Sequence, residues 1–106
     1  MRMKEETFEI TENIEDDRCN FVAKGRIDTN SSNILLFNLE KALKRDHKKI
    51  ILNMAQVEFL SSVGIRVILQ IYKQAIKAGS KFNIESPSEI VRNVLGMVAL
   101  NQLIAK

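Results

Sequence analysis

Two adjacent hydroxyls, Ser61 and Ser62, are the groups in this chain best placed to do chemistry. They close the run Ile50–Gly64, IILNMAQVEFLSSVG, and a helical pattern starts directly behind them. A buried strand that stops at exposed hydroxyls where a helix begins gathers free backbone N–H groups and the positive end of a helix dipole. Such a point receives a phosphate or a docking partner readily. A serine there can equally serve as a helix cap, a role worth about 1 kcal/mol, and the two roles are compatible. Phosphorylating Ser62 would add about −1.5 to −2 charge and three acceptor oxygens at the start of the helix. The dipole tolerates that charge, so the domain itself need not unfold. A partner surface packed on the loop would instead meet a desolvated dianion, which is enough to act as a switch.

Other chemistry is scarce. His47, the only histidine, sits in the charged stretch Lys44-Arg45-Asp46-His47-Lys48-Lys49, which reads as a solvated helix end. One His and one Cys far apart in sequence give no metal-ligand spacing. No Gly-rich phosphate loop is present. Glu5-Glu6 reads as a charged tail and Asp16-Asp17 as a turn, both solvated. No cofactor, no metal and no catalytic residue is expected, and the chain reads as a non-enzyme.

Composition narrows the remaining classes. A chain of 106 residues, 45% hydrophobic and 27% charged, is one domain, 1–106, burying about two-thirds of its unfolded surface. The net charge of +3 is mild, and basic and acidic residues are mixed, so no nucleic acid partner is expected. No apolar run approaches the roughly 18 residues of a membrane span. The start, MRMKEETFEI, lacks the apolar core of a signal peptide. The lone Cys19 alternates with Phe21 and Ala23, which makes it a buried strand thiol and fits a cytoplasmic location.

The elements that must hold the serines follow from periodicity. Thr7–Glu12 (TFEITE) alternates as a strand, and Arg18–Lys24 (RCNFVAK) forms a second, hairpin-paired with it. Gly25-Arg26-Ile27-Asp28 leads into Thr29-Asn30-Ser31-Ser32-Asn33, rich in N-cap residues, with Asp28 a turn or cap residue. Ile34 to about Lys44 is helical, with Leu35, Leu39, Ala42 and Leu43 on one face. Ile50–Asn53 is a short buried strand, and Met54–Leu60 a bend leading to the serines.

Ser62–Ala78 is the clearest helix. Arg66, Gln70, Lys73 and Lys77 form its polar stripe, with apolar Ile65, Leu69, Tyr72 and Ile76 alongside. These flanking side chains either pack under neighbouring elements or form an exposed apolar docking patch. Gly64 suits a close approach of helix and strand, and Gly79 the helix end. Lys81–Glu85 is a strand, Ser86-Pro87-Ser88-Glu89 starts another helix, and Leu100–Ile104 is a last apolar turn. The order β-β-α-β-α-β-α implies an α/β fold with a partly parallel sheet.

This order, with three of its segments, resembles the STAS family of sulphate transporter and anti-sigma factor antagonist domains. Gly25-Arg26-Ile27-Asp28 is similar to that family's turn between second strand and first helix. Ile51–Met54 through Val57–Ile65 resembles its central strand and phosphorylation loop. Val67-Ile68-Leu69 with Tyr72-Lys73-Gln74 and Gly79 is similar to the helix beyond, and Ser86-Pro87 and the last helix fit too. The likeness covers nearly the whole chain. It implies a STAS-like four- to five-stranded mixed sheet with about four helices packed mainly on one face.

The resemblance also implies a role. Stand-alone bacterial members are anti-sigma factor antagonists that bind an anti-sigma factor, itself a serine kinase of GHKL type. Phosphorylation releases them, so transcription is regulated by partner switching, and a phosphatase resets the cycle. Carried over by position, the acceptor is Ser62, with Ser61 the alternative. The family commonly has Asp just before the acceptor, and Ser61 stands there instead, so an acidic residue suited to positioning a kinase is absent. Asp28, Thr29 and Asn30, with Ser61, Ser62, Gly64, Ile65, Leu69 and Tyr72, become the expected partner-binding set. A monomer or weak dimer is expected. The alternative is a STAS subunit or scaffold of a transporter or signalling complex, without phosphorylation.

Overall fold

The computed structural model describes residues 2–5, 7–45 and 49–105; the reading of His47 as solvated therefore lies outside the described residues. The chain runs β1 (Arg2–Glu5), β2 (Phe8–Glu15), β3 (Arg18–Ile27), α1 (Thr29–Lys44), β4 (Lys49–Leu60), α2 (Ser62–Ala78), β5 (Lys81–Glu85) and α3 (Glu89–Met97). A 3-10 turn, Asn101–Leu103, follows. β1, β2 and β3 pair antiparallel, and β3, β4 and β5 pair parallel, giving one sheet in the order β1-β2-β3-β4-β5.

Alternation in the strands decides which face is covered. Cys19, Ile50 and Phe82 stand in one row across the sheet, Phe21, Leu52 and Ile84 in the next, and all six are buried. Leu35, Leu39 and Ala42 of α1 and Val67, Ile68, Ile71 and Ala75 of α2 close over that face. Val91 and Leu95 of α3 join the same apolar cluster. The residues between them line up on the opposite face: Thr11, Val22, Asn53 and Glu85 in one row, Asn13, Asn20, Ile51 and Asn83 in the other. Except for Ile51, none of these is fully buried. An α/β architecture with a mixed sheet and helices mainly on one face is therefore what the chain adopts, with three α-helices and a 3-10 turn among the described residues in place of about four helices.

α1 starts at Thr29 rather than Ile34, because Asp28 caps it, and two further elements differ from expectation. The charged start is no tail: Arg2–Glu5 pairs antiparallel with β2, Met3 opposite Ile10. Short, charged segments are common at sheet edges, where backbone pairing rather than apolar pattern makes the strand. The second difference bears on the site. Met54–Leu60 continues β4 as strand, with two register shifts against β3. Each shift sets one extra β4 residue against β3, so Met54, Val57 and Leu60 are buried at a spacing of three. A spacing of three looks nothing like a strand in sequence. β5 has already ended at Glu85, so Ser88 fills in beside the bulged segment. Its N–H donates to the Met54 carbonyl at 3.1 Å and its hydroxyl to the Val57 carbonyl at 2.8 Å.

Candidate functional site

The parallel strands β3 and β4 end side by side, and each hands over to a helix. Ile27 ends β3 and Leu60 ends β4, directly paired. The Ser61 N–H donates to the Ile27 carbonyl at 2.9 Å, which ties the two strand–helix junctions together. The starts of α1 and α2 therefore adjoin, and neither helix carries an acidic residue in its first turn. Close packing requires Gly64: a Cβ there would lie 2.7 Å from both the Ile27 Cγ2 and Leu60 Cδ1 methyls. Gly64 is buried, so within the expected partner-binding set its part is to let α2 approach the sheet.

Each junction has its own cap. Asp28 takes extended backbone and accepts from the Ser31 N–H at 3.0 Å, while its own N–H donates to the Ser31 hydroxyl at 2.8 Å. That hydroxyl lies 2.6 Å from the Arg26 carbonyl and 3.0 Å from the Asp28 carboxylate, and its single proton serves one of them. The backbone and side-chain hydrogen bonds from Ser31 hold the Asp28 carboxyl below its ordinary range. Ser31 is fully buried and completes a capping box that the polar run only hinted at.

A group with a lowered folded pKa stabilises the fold above its unfolded value, about 3.9, and loses that contribution as pH falls through the folded value. Asp28→Ala should lower the urea midpoint at pH 7, while Asp28→Asn, which still caps, should lower it less. The advantage of Asp28 over Asn should fade below about pH 3.9. Urea unfolding followed by circular dichroism at pH 7 and pH 3 checks this; an advantage unchanged at pH 3 would remove the charge from the account.

The two serines divide the work at the second junction. Ser61 is the N-cap of α2, accepting from the Gly64 N–H at 3.1 Å. Ser62, the first helical residue, is exposed, and among the described residues its hydroxyl has no hydrogen-bond partner. Thr29 and Asn30 are exposed and Asp28 half-exposed, on the neighbouring junction. The structure thus brings Asp28, Thr29, Asn30, Ser61 and Ser62 to one end of the sheet. Ile65, Leu69 and Tyr72 are half-buried and pack against the core, and Ile76, 61% exposed, is the open member of that flank.

Two features escaped the sequence reading. The Arg26 guanidinium stacks on the Phe59 ring at 4.4 Å, joining β3 to β4 just before the junctions. At the other end of the sheet, Glu12 accepts from Cys19 Sγ at 2.8 Å and pairs with Arg45 just past α1. Burial pushes the Glu12 carboxyl up, but the bonds from Cys19 and Arg45 and the charges of Arg45 and Lys41 outweigh it and leave it lowered. Burial, then Glu12, pushes the Cys19 thiol up to about 12. The thiol is fully buried and stays protonated, as expected of a strand thiol. Among the described residues no group of three or more His, Cys, Asp or Glu is placed to hold a metal. No helix among them is long and apolar enough to cross a membrane.

Set against known proteins, residues 7–106 match the family model described as the STAS domain. The chain belongs to the STAS domain family. A Thermotoga neapolitana protein, named as a candidate anti-sigma factor antagonist, is 31% identical over 65 residues, 61% of this STAS chain. The match spans 58% of that relative's own length. The structure of the anti-sigma factor antagonist SpoIIAA in its unphosphorylated form superimposes with a TM-score of 0.81 at 16% identity, covering 91% of this chain and 85% of that one. The phosphorylated form of SpoIIAA, a Bacillus cell fate determinant, does so with a TM-score of 0.75 at 15% identity, covering 91% and 88%. At these identities the two SpoIIAA structures establish the fold that this STAS chain shares.

Proposed function

We propose that this protein is an anti-sigma factor antagonist that acts by partner switching in the cytoplasm. It binds an anti-sigma factor that is also a serine kinase of GHKL type, through the end of the sheet formed by Asp28–Asn30, Ser61, Ser62 and the adjoining flank of α2. Phosphorylation of Ser62 ends that complex, and a phosphatase restores the binding form. The protein works by binding and not by catalysis, as a monomer or weak dimer.

The observation that carries this reading is the exposed Ser62 hydroxyl at the head of α2, beside the Asp28 junction, with no hydrogen-bond partner among the described residues. Ser61, the alternative acceptor, already spends its oxygen on the Gly64 N–H. The Thermotoga relative's name and the two forms of SpoIIAA add support from within the family.

A second reading is a STAS subunit or scaffold of a transporter or signalling complex, without phosphorylation. Ser61 favours it, because it places a neutral cap where the family commonly has Asp.

Intact mass and site mapping after incubation with ATP and the GHKL kinase of the same genome separates the two. One added phosphate is expected, absent in Ser62→Ala. Stable binding without phosphate would replace this reading by the scaffold, and phosphate on Ser61 would move the acceptor by one residue.

A further inference from the structure

We propose that Arg66 is the internal receptor for the phosphate of phosphorylated Ser62, an inference that rests on the reading of Ser62 as the acceptor. Ser62 and Arg66 are four residues apart in α2, one turn along the same exposed face. Residues at that spacing are neighbours on a helix surface, and an anion N-terminal to a cation is the favourable order. Arg66 is exposed and has no ion pair or hydrogen bond among the described residues, so nothing competes for its guanidinium. Guanidinium and phosphate match in a two-bond fork that a lysine cannot reproduce.

The surroundings favour the same partner. Asp28 follows Ile27, whose carbonyl is bonded to Ser61, so a lowered-pKa carboxylate flanks the acceptor on the α1 side. Asp28 repels a dianion on Ser62, and Arg26, the cation whose charge acts on Asp28, is stacked on Phe59. On the other side α2 carries no acidic residue: its exposed charges are Arg66, Lys73 and Lys77. The phosphate settles along α2, over Arg66.

The consequence is a change in the face that a partner reads. The three cations of α2, a helix with no acidic residue of its own, become, with about −2 added at their head, a face of about +1 whose first arginine is engaged. Phosphorylation then removes a donor from the partner as well as adding a repulsive anion. Arg66 thereby acts as a positioning residue for the switch.

The test installs phosphoserine at position 62 during translation, with no kinase, and follows its second ionisation by phosphorus NMR. A paired guanidinium favours the dianion, so the midpoint should lie below the usual value of about 6. In Arg66→Gln it should rise by about 0.3 pH unit or more, with partial recovery in Arg66→Lys. High salt should shrink the difference between wild type and Arg66→Gln. A midpoint identical in wild type and Arg66→Gln would overturn the pairing. Because no kinase is involved, failure of the kinase to modify Ser62 would sink the function proposed above without touching this result.

Discussion

Gly25→Ala should lower the thermal midpoint by at least about 12 °C, corresponding to a loss of about 3 kcal/mol or more. Gly25 has φ +101, a conformation that L side chains rarely adopt. That alone costs about 1–3 kcal/mol for any other residue. A Cβ at this position would also stand 2.1 Å from the Thr7 carbonyl oxygen, a backbone atom that cannot swing aside. The same oxygen accepts from the Arg26 N–H at 2.9 Å. Moving it breaks a hydrogen bond worth about 1 kcal/mol and disturbs the pairing of β2 with β3.

Gly79→Ala is the control: its φ is +73, yet a Cβ there meets nothing within 4 Å. It should cost only the conformational part, about 1–2 kcal/mol. Differential scanning calorimetry of the two variants decides the matter. Equal losses at both positions would mean that the carbonyl clash has no weight.

If the proposed function holds, phosphorylation of Ser62 should weaken binding to the proposed GHKL anti-sigma factor by at least about 100-fold, a difference of about 2.7 kcal/mol. A partner packed on this end of the sheet must strip water from the dianion, and Asp28 is already present as a like charge. The domain's own melting temperature should hardly move, because the new charge sits at the positive end of α2. Isothermal calorimetry with unphosphorylated protein, phosphoprotein and Ser62→Ala measures the first effect, and calorimetric melting the second. Ser62→Ala should bind like the unphosphorylated protein. A phosphoprotein that binds equally well, or one that binds less only because it has melted, would defeat this account of the switch.

How much of this was legible follows the physics of each segment. Ser62–Ala78 is helix at both ends as expected, because an N-cap serine, a narrow polar stripe and Gly79 all agree. Arg18–Lys24 alternates cleanly and is strand, extended to Ile27. β4 is the instructive failure. Its first residues were expected as strand, but the bulges that carry it to Leu60 replace the period of two by a spacing of three, which sequence pattern reads as a bend. β1 is strand only because β2 offers it a backbone partner, a relation no local window contains.

At the site, the residue types were visible and their division of labour was not. Ser61 and Ser62 look alike in sequence, and only the distance to the Gly64 N–H separates cap from free hydroxyl. Arg66 was visible as one member of a polar stripe, and its position one turn beyond Ser62 acquires meaning only with both on the same exposed face.

The single bond from the Ser61 N–H to the Ile27 carbonyl has a consequence for timing. It holds two helix starts to one strand end, over the close contact at Gly64, so a shift of either junction breaks that bond. A switch built on such a joint stores no slow rearrangement of its own. In the proposed switch the response time is therefore that of the enzymes that add and remove the phosphate and of the departing partner, and this domain contributes no memory of its previous state.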